Sequence, residues 1–279
     1  DQPSPAEPMV AAVYENIATQ MAQRNKLERA LEILNRGRIL FPQSESIALK
    51  LAAIEFQQGN TSEARNALQD AKQYHPDSPA PYQIEASYYE NAGEHQQAAE
   101  LYELALTKRN SAELEVARAR ALTNAGRGQQ AIEALEDAAT RFPNSQAVLL
   151  NLAMSHQQAG QSEQATQRYQ QLLEISPDNP VVLNNLAWLY YENGNEKASE
   201  LARKAYQLAP QNAAIADTYG WILFETGKQS ESLSVLKNAH ELAPESQEIA
   251  MHLVEAYRAA GMTDKAKQVM AKFEDSPNS

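Results

Sequence analysis

Apolar residues along this chain fall in short amphipathic segments that come in pairs, and the pairing starts again roughly every 34 residues. In the clearest pair, Val181 to Tyr191 and Glu196 to Gln207 place apolar positions at helical spacing on either side of a polar Asn193-Gly194-Asn195 turn. Small residues hold one fixed position in each segment. They are Ala18, Ala52, Ala86, Ala119, Ala153, Ala187 and Gly220 in the first segments, with Val254 as the exception, and Ala30, Ala64, Ala98, Ala131, Ala165, Ser232 and Ala266 in the second. This predicts two helices that cross closely at those points, where a larger side chain would push them apart. The turn between them carries Gly59, Gly93, Gly126, Gly160, Gly194, Gly227 or Gly261, and Asn25 stands there in the first pair. Glycine suits a left-handed residue that closes a helix, and asparagine reaches that conformation more easily than most. Thr61, Ser162, Ser230 and Thr263, just after the turn, read as N-caps of the second helix. Pro42, Pro76, Pro143, Pro177, Pro210 and Pro244 stop the second helices, with Asn110 in the one missing place.

The pattern resolves into eight repeats beginning near Ala11, Glu45, Pro79, Ala112, Gln146, Pro180, Ala213 and Gln247, each with a helix A and a helix B. Residues 1–8 are Pro-rich and read as an extended lead-in, with the first helix starting by about Met9 and one elongated domain occupying 9–279. The run Leu183-x2-Leu186-Ala187-x2-Tyr190, an Ala-rich helix B and then Pro210 resembles the tetratricopeptide (TPR) signature, in phase from about Ala11 to Phe273. The resemblance implies an all-α, right-handed superhelical solenoid of about eight helix-turn-helix units. One irregularity interrupts it. At the helix A position held by Ile17, Leu51, Leu152, Leu186 and Leu253, the third and fourth repeats carry Glu85 and Arg118. Two readings stand: an ion pair between these two across one inter-repeat seam, or a weakened seam that flexes near Asn110.

Charge and composition narrow the function classes. A net charge of −12 without a Lys/Arg cluster argues against nucleic acid as a partner. No run of apolar residues is long enough to span a membrane, and with no cysteine there is neither a disulfide framework nor a thiolate site. His75, His95, His156, His240 and His252 are scattered without ligand spacing, so no metal or cofactor is expected, and no phosphate-cradling loop or catalytic constellation stands out. A non-enzymatic scaffold is the reading that remains.

In the TPR architecture helix A lines the concave face, which implies that a protein or peptide partner meets Leu150, Met154 and Gln157, then Asn184, Trp188 and Tyr191, then Asp217, Trp221 and Phe224, then Met251, Glu255 and Arg258. Trp188 and Trp221 occupy the same repeat position, as do Tyr191 and Phe224, which predicts a stripe of rings that either anchors a partner or fills space between neighbouring A helices. Stacked rings also suit a polysaccharide. Asn16, Asn151 and Asn185 share another position, and Asn184-Asn185-Leu186-Ala187 is similar to the asparagine-ladder repeats of the O-linked N-acetylglucosamine transferase TPR domain, which implies amides gripping a peptide backbone. A chaperone-tail clamp is not expected, because Glu15, Leu49 and Gln83 stand where that clamp has Lys and Arg.

The last helix, Thr263 to Phe273, presents Val269, Met270 and Phe273, so it either caps the array or docks on a partner or a second copy as a homodimer. The first residue, Asp1, suggests a processed export precursor or a piece of a longer chain. Leu183 to Tyr190 followed by Ala216 to Leu223 resembles the end of bacterial TPR proteins associated with PEP-CTERM/exosortase export and exopolysaccharide systems, which implies a periplasmic or otherwise extracytoplasmic scaffold. The alternative compartment is the cytoplasm.

Overall fold

The computed structural model describes residues 7–274 and is all-helical over them. The helices pair as the repeats require: α1 (Glu7–Gln23) with α2 (Leu27–Leu40), α3 (Glu45–Gln57) with α4 (Thr61–Tyr74), α5 (Ala80–Asn91) with α6 (His95–Lys108), and α7 (Ala112–Asn124) with α8 (Gly128–Arg141). Then follow α9 (Gln146–Gln158) and α10 (Ser162–Ile175), α11 (Pro180–Glu192) and α12 (Ala198–Leu208), α13 (Ala213–Glu225) and α14 (Gln229–Leu242), and α15 (Gln247–Ala259) and α16 (Thr263–Glu274). Odd-numbered helices are the A helices and even-numbered ones the B helices. Of the expected lead-in, Glu7 and Pro8 already belong to α1, and residues 1–6 lie outside the described residues.

All seven turn glycines have positive φ, from 67° at Gly194 to 80° at Gly227, and Asn25 joins them at 58°. At Gly194 the left-handed turn lets the amide of Asn195 donate to the carbonyl of Tyr190 at 2.8 Å, so the open end of helix A is closed by backbone alone. The small positions are buried throughout, from Ala18 to Ala266. In the seventh repeat the approach leaves no room for a side chain. A Cβ on Gly220 would lie 2.8 Å from Leu236, and the buried Ser232 hydroxyl donates to the Gly220 carbonyl at 2.8 Å.

The caps differ from expectation. Thr61, Ser162 and Thr263 are the first residues of their helices and Ser230 the second of its own, while the capping positions of α4, α10 and α14 fall on Asn60, Gln161 and Lys228, none of which caps through its side chain. The chain re-enters a helix so soon after the left-handed glycine that the cap position precedes the Ser or Thr. Side-chain caps protect the A helices instead. Ser44, Ser111, Asn212 and Ser246 each accept from the third amide after them, and Asn179 Oδ1 accepts from Val181 and Val182 at 3.1 and 3.2 Å. In the sixth repeat, Asn195 Oδ1 accepts from the amide of Lys197 at 3.0 Å, an Asx turn that delays helix B to Ala198 rather than Glu196.

The chain divides into two compact bodies, Asp1–Val148 and Leu149–Ser279, and the division falls within α9. In the first body Glu85 and Arg118 do not pair with each other. Glu85, only 7% exposed, accepts from Arg65 at 2.9 Å and from Lys72 at 3.3 Å, both on α4, whereas Arg118 lies 3.4 Å from Glu103 on α6. The reason is packing order: each of these A-helix residues faces the B helix that precedes it in the chain. The Arg65 guanidinium is held above its ordinary range by its hydrogen bond to Glu85. In the second body Leu172, Leu183, Leu186, Leu189 and Ile222 are almost wholly buried, each stabilising by about 1.5–3 kcal/mol. At its end Val269 and Met270 pack against Leu236, Leu253 and Tyr257, so this part of α16 covers its own core; the side chain of Phe273 lies outside the described residues.

Candidate functional site

In the second body the A helices bring the expected rings together. On α11 Trp188 and Tyr191 are one turn apart with centroids at 5.5 Å, and on α13 Trp221 and Phe224 repeat the arrangement at 5.3 Å. The Trp221 ring also stacks on His252 of α15, at 4.3 Å and 24°. Its orientation is fixed from the other side, because His252 Nδ1 lies 2.8 and 2.9 Å from the two oxygens of Asp217 on α13. All four rings remain half-buried, and Met251 beside them is 53% exposed. Trp221, Met251, His252, Glu248 and Glu255 line an open groove of about 520 Å³. Burial pushes the Tyr191 hydroxyl above its ordinary pKa, opposed by the neighbouring Trp221 indole.

Several expected contact residues prove to have internal work. Asp217 is 7% exposed and lies against His252, which it orients. Asn185 Nδ2 donates to the Tyr169 hydroxyl at 3.1 Å, and that hydroxyl donates to Gln157 Oε1 at 2.9 Å, a chain that ties α11 to α10 and α10 to α9. The amide of Asn185 thus braces α11 against α10. Asn184 Nδ2 donates to Asn185 Oδ1 at 3.3 Å, while its own Oδ1 is buried without a hydrogen-bond partner among the described residues. Asn151 is half-buried and Met154 is 48% exposed on α9. Glu255 and Arg258 are exposed and pair with each other at 3.1 Å.

One pair of positions separates the ringed sixth and seventh repeats from the third and fifth. Three residues before the turn glycine, the third and fifth repeats carry Glu90 and Gln157, and nine residues after it they carry Tyr102 and Tyr169. In both repeats the tyrosine donates across the turn, at 2.6 Å to Glu90 and 2.9 Å to Gln157. The sixth and seventh repeats have Tyr191 and Phe224 at the first position and Arg203 and Leu236 at the second, so no such tie forms and the ring is left on the A-helix surface. Phe56 holds the same position in the second repeat, and it stacks on Tyr88 at 4.3 Å beside an apolar hollow of about 430 Å³ in the first body. Tracing the Tyr191 and Phe224 position back through the repeats would have found it; attention to tryptophan alone misses it.

Among the described residues no group of three or more His, Asp or Glu is placed to hold a metal, and no helix is long and apolar enough to cross a membrane. No curated protein matches the chain in sequence. Solved structures match its fold. A tetratricopeptide repeat protein from Parabacteroides merdae is 17% identical, with a TM-score of 0.58, over 88% of this chain and 98% of that one. PilF of Pseudomonas aeruginosa is 23% identical, with a TM-score of 0.59, over 76% of this chain and 97% of that one. YrrB, described as a TPR protein with an unusual peptide-binding site, is 16% identical, with a TM-score of 0.50, over 65% and 95%. The family model described as tetratricopeptide repeat matches residues 21–88 and 122–172, and that described as TPR repeat matches 155–194, together just over half of the chain. With paired helices, the left-handed turn residue and the small crossing positions recurring in phase through all eight repeats, the chain belongs to the tetratricopeptide repeat family.

Proposed function

We propose that this chain is a non-enzymatic scaffold that captures an extended or helical segment of a protein partner on the A-helix face of its second body. The observation that carries the reading is the ring row Trp188, Tyr191, Trp221 and Phe224, left half-buried beside exposed Met251 where neighbouring apolar residues such as Leu189 and Ile222 are sealed. Large rings with a flexible thioether at the edge are the composition of binding hot spots. TPR proteins generally mediate protein–protein interactions, which supports the same reading. The finer setting we propose, an extracytoplasmic scaffold in a bacterial export or exopolysaccharide system, rests on the likeness of Leu183 to Tyr190 and Ala216 to Leu223.

The test is Trp188→Ala, alone and with Trp221→Ala, in cross-linked pull-downs from the native source, with circular dichroism to check folding. Loss of one defined partner by a folded variant supports the groove. Unfolding of both variants would show that the rings are filler, and loss of a soluble glycan instead would move the reading to polysaccharide.

A second reading is favoured by α1, where Met9, Val13 and Ile17 form an exposed stripe one turn apart, with Ile17 41% exposed at the position where Leu51 and Leu186 are buried. It makes the chain an assembly subunit that joins a second copy or another protein through a terminal face. Light scattering across a concentration series, with Val13→Lys as control, distinguishes it: a strict monomer at every concentration removes self-association.

A further inference from the structure

Carboxylates on the A helices meet different surroundings in the two bodies. In the first body Glu15, Glu85, Glu90 and Glu115 each face a lysine or arginine of the chain, from Lys50 at 3.9 Å from Glu15 to Arg141 at 2.6 Å from Glu115. In the second body Glu192, Glu225 and Glu248 stand exposed on α11, α13 and α15, with no ion-pair partner among the described residues. The cause is in the sequence. After Val148, and among the described residues, Arg258 is the one Lys or Arg on an A helix, while the others lie on B helices or in turns. Arg258 is taken by Glu255 at 3.1 Å. The fold does not demand this exclusion, since A helices of the first body carry Lys50, Arg118 and Arg120. The unanswered charge runs along the ring row. Burial first holds the Tyr191 hydroxyl above its ordinary range, and nearby Glu225 and Glu192 add to the effect. Glu248 stands on the rim of the groove of about 520 Å³ whose apolar wall is Trp221 and exposed Met251.

We propose that this groove takes a basic segment of the partner, in which a lysine or arginine lays its methylene stem along Trp221 and Met251 and carries its charged head to Glu248. The inference rests on the A-helix face being the binding surface, and it names the chemistry of what that surface binds. An apolar wall that ends in a carboxylate matches a side chain that is apolar along its stem and cationic at its tip. A purely aliphatic side chain would cover Glu248 without compensating its charge, and an acidic one would be repelled by it. Glu225, beside Tyr191, extends the same preference to a neighbouring position of the segment. In a chain of net charge −12, keeping cations off this face also steers a basic ligand towards it.

The experiment is an NMR titration of the full chain with four blocked tetrapeptides, N-acetyl-Leu-X-Leu-Leu-amide, in which X is arginine, lysine, citrulline or glutamate. Citrulline keeps the length and planarity of arginine without its charge. The arginine and lysine peptides should shift the Trp221 indole and the α15 amides, bind about fivefold more tightly than the citrulline peptide, and lose that margin as salt is raised. Glu248→Gln should remove most of the margin and leave citrulline affinity unchanged. Glu163→Gln, the same loss of charge at an exposed position on α10, should leave the margin intact. Trp221→Ala should weaken all four peptides, because it removes the wall. Equal binding of the arginine and citrulline peptides, tighter binding of the glutamate peptide, or a margin unchanged in Glu248→Gln overturns the proposal. If Trp221→Ala still weakens every peptide in those cases, the groove itself stands and only its preference for a cation falls. Binding of no peptide overturns the proposal, and binding undiminished by Trp221→Ala overturns the groove with it.

Discussion

Replacing Gly220 by alanine sets two effects of known sign against each other. Helix propensity favours the change by about 1 kcal/mol, and alanine is the residue that most other repeats carry at this position. Packing opposes it. An added methyl would sit 2.8 Å from both Cγ and Cδ2 of Leu236 and 3.2 Å from the Leu236 backbone nitrogen. Only Cδ2 is the far end of a flexible side chain, and Leu236 is fully buried against Leu253 and Val254, so it cannot swing away. Overpacking of this kind costs about 1–3 kcal/mol. Separating α13 from α14 to relieve it would stretch the 2.8 Å bond from Ser232 to the Gly220 carbonyl, adding about 1 kcal/mol for a buried hydrogen bond. The balance is destabilising by about 1–3 kcal/mol. The assay is urea unfolding followed by tryptophan fluorescence, which reports on the second body because the chain's two tryptophans, Trp188 and Trp221, both lie there. The midpoint should fall by several tenths of a molar. Pairing the change with Leu236→Val should recover part of the loss, because the two sites share one contact. A midpoint that rises in Gly220→Ala would refute the close-approach argument and leave propensity as the only effect at this crossing.

Two further changes test other parts of the fold. Burial, then the 2.7 Å hydrogen bond to Glu231, pushes the Tyr219 hydroxyl up to about 12 from an ordinary value of 10. Because the folded pKa is the higher one, this contribution to stability is fully present below pH 10 and is lost as pH rises through about 12. The difference in urea midpoint between wild type and Tyr219→Phe should therefore shrink between pH 9 and pH 12; a difference independent of pH refutes it. Asn179→Ala removes an acceptor shared by two α11 amides and should cost about 1 kcal/mol, read as a lower urea midpoint, with Asn179→Ser recovering most of it.

The helices were legible in the sequence because each boundary is enforced locally. A left-handed turn needs Gly194 or Asn25, and a close crossing needs Ala187 or Gly220; such requirements leave residues of one type at one position. Side-chain partnerships were less legible because they depend on which helix lies opposite. Glu85 and Arg118 are repeat equivalents, which suggested a pair, yet each answers to the B helix before it, so the partners are Arg65, Lys72 and Glu103. Asp217 faced the expected binding surface by position alone. Its burial follows from His252, 35 residues away, a neighbour that repeat register by itself does not mark as its partner. The ring row was foreseen from Trp188 and Trp221, and the same repeat register leads to Phe56, whereas its stacking on Tyr88 depends on how α3 packs against α5.

The cross-turn tie between Tyr102 and Glu90, repeated by Tyr169 and Gln157, sets where this chain can be cut and rejoined. Both members belong to one repeat but sit on opposite sides of its glycine, so a chimera spliced at the glycine would join a tyrosine to a repeat with no acceptor for it. A splice in the loop between repeats keeps donor and acceptor together. Shuffling at that joint moves a ringed repeat such as the sixth or a tied one such as the third as a whole cassette, and the number of aromatic positions on the surface becomes something to dial by order of assembly.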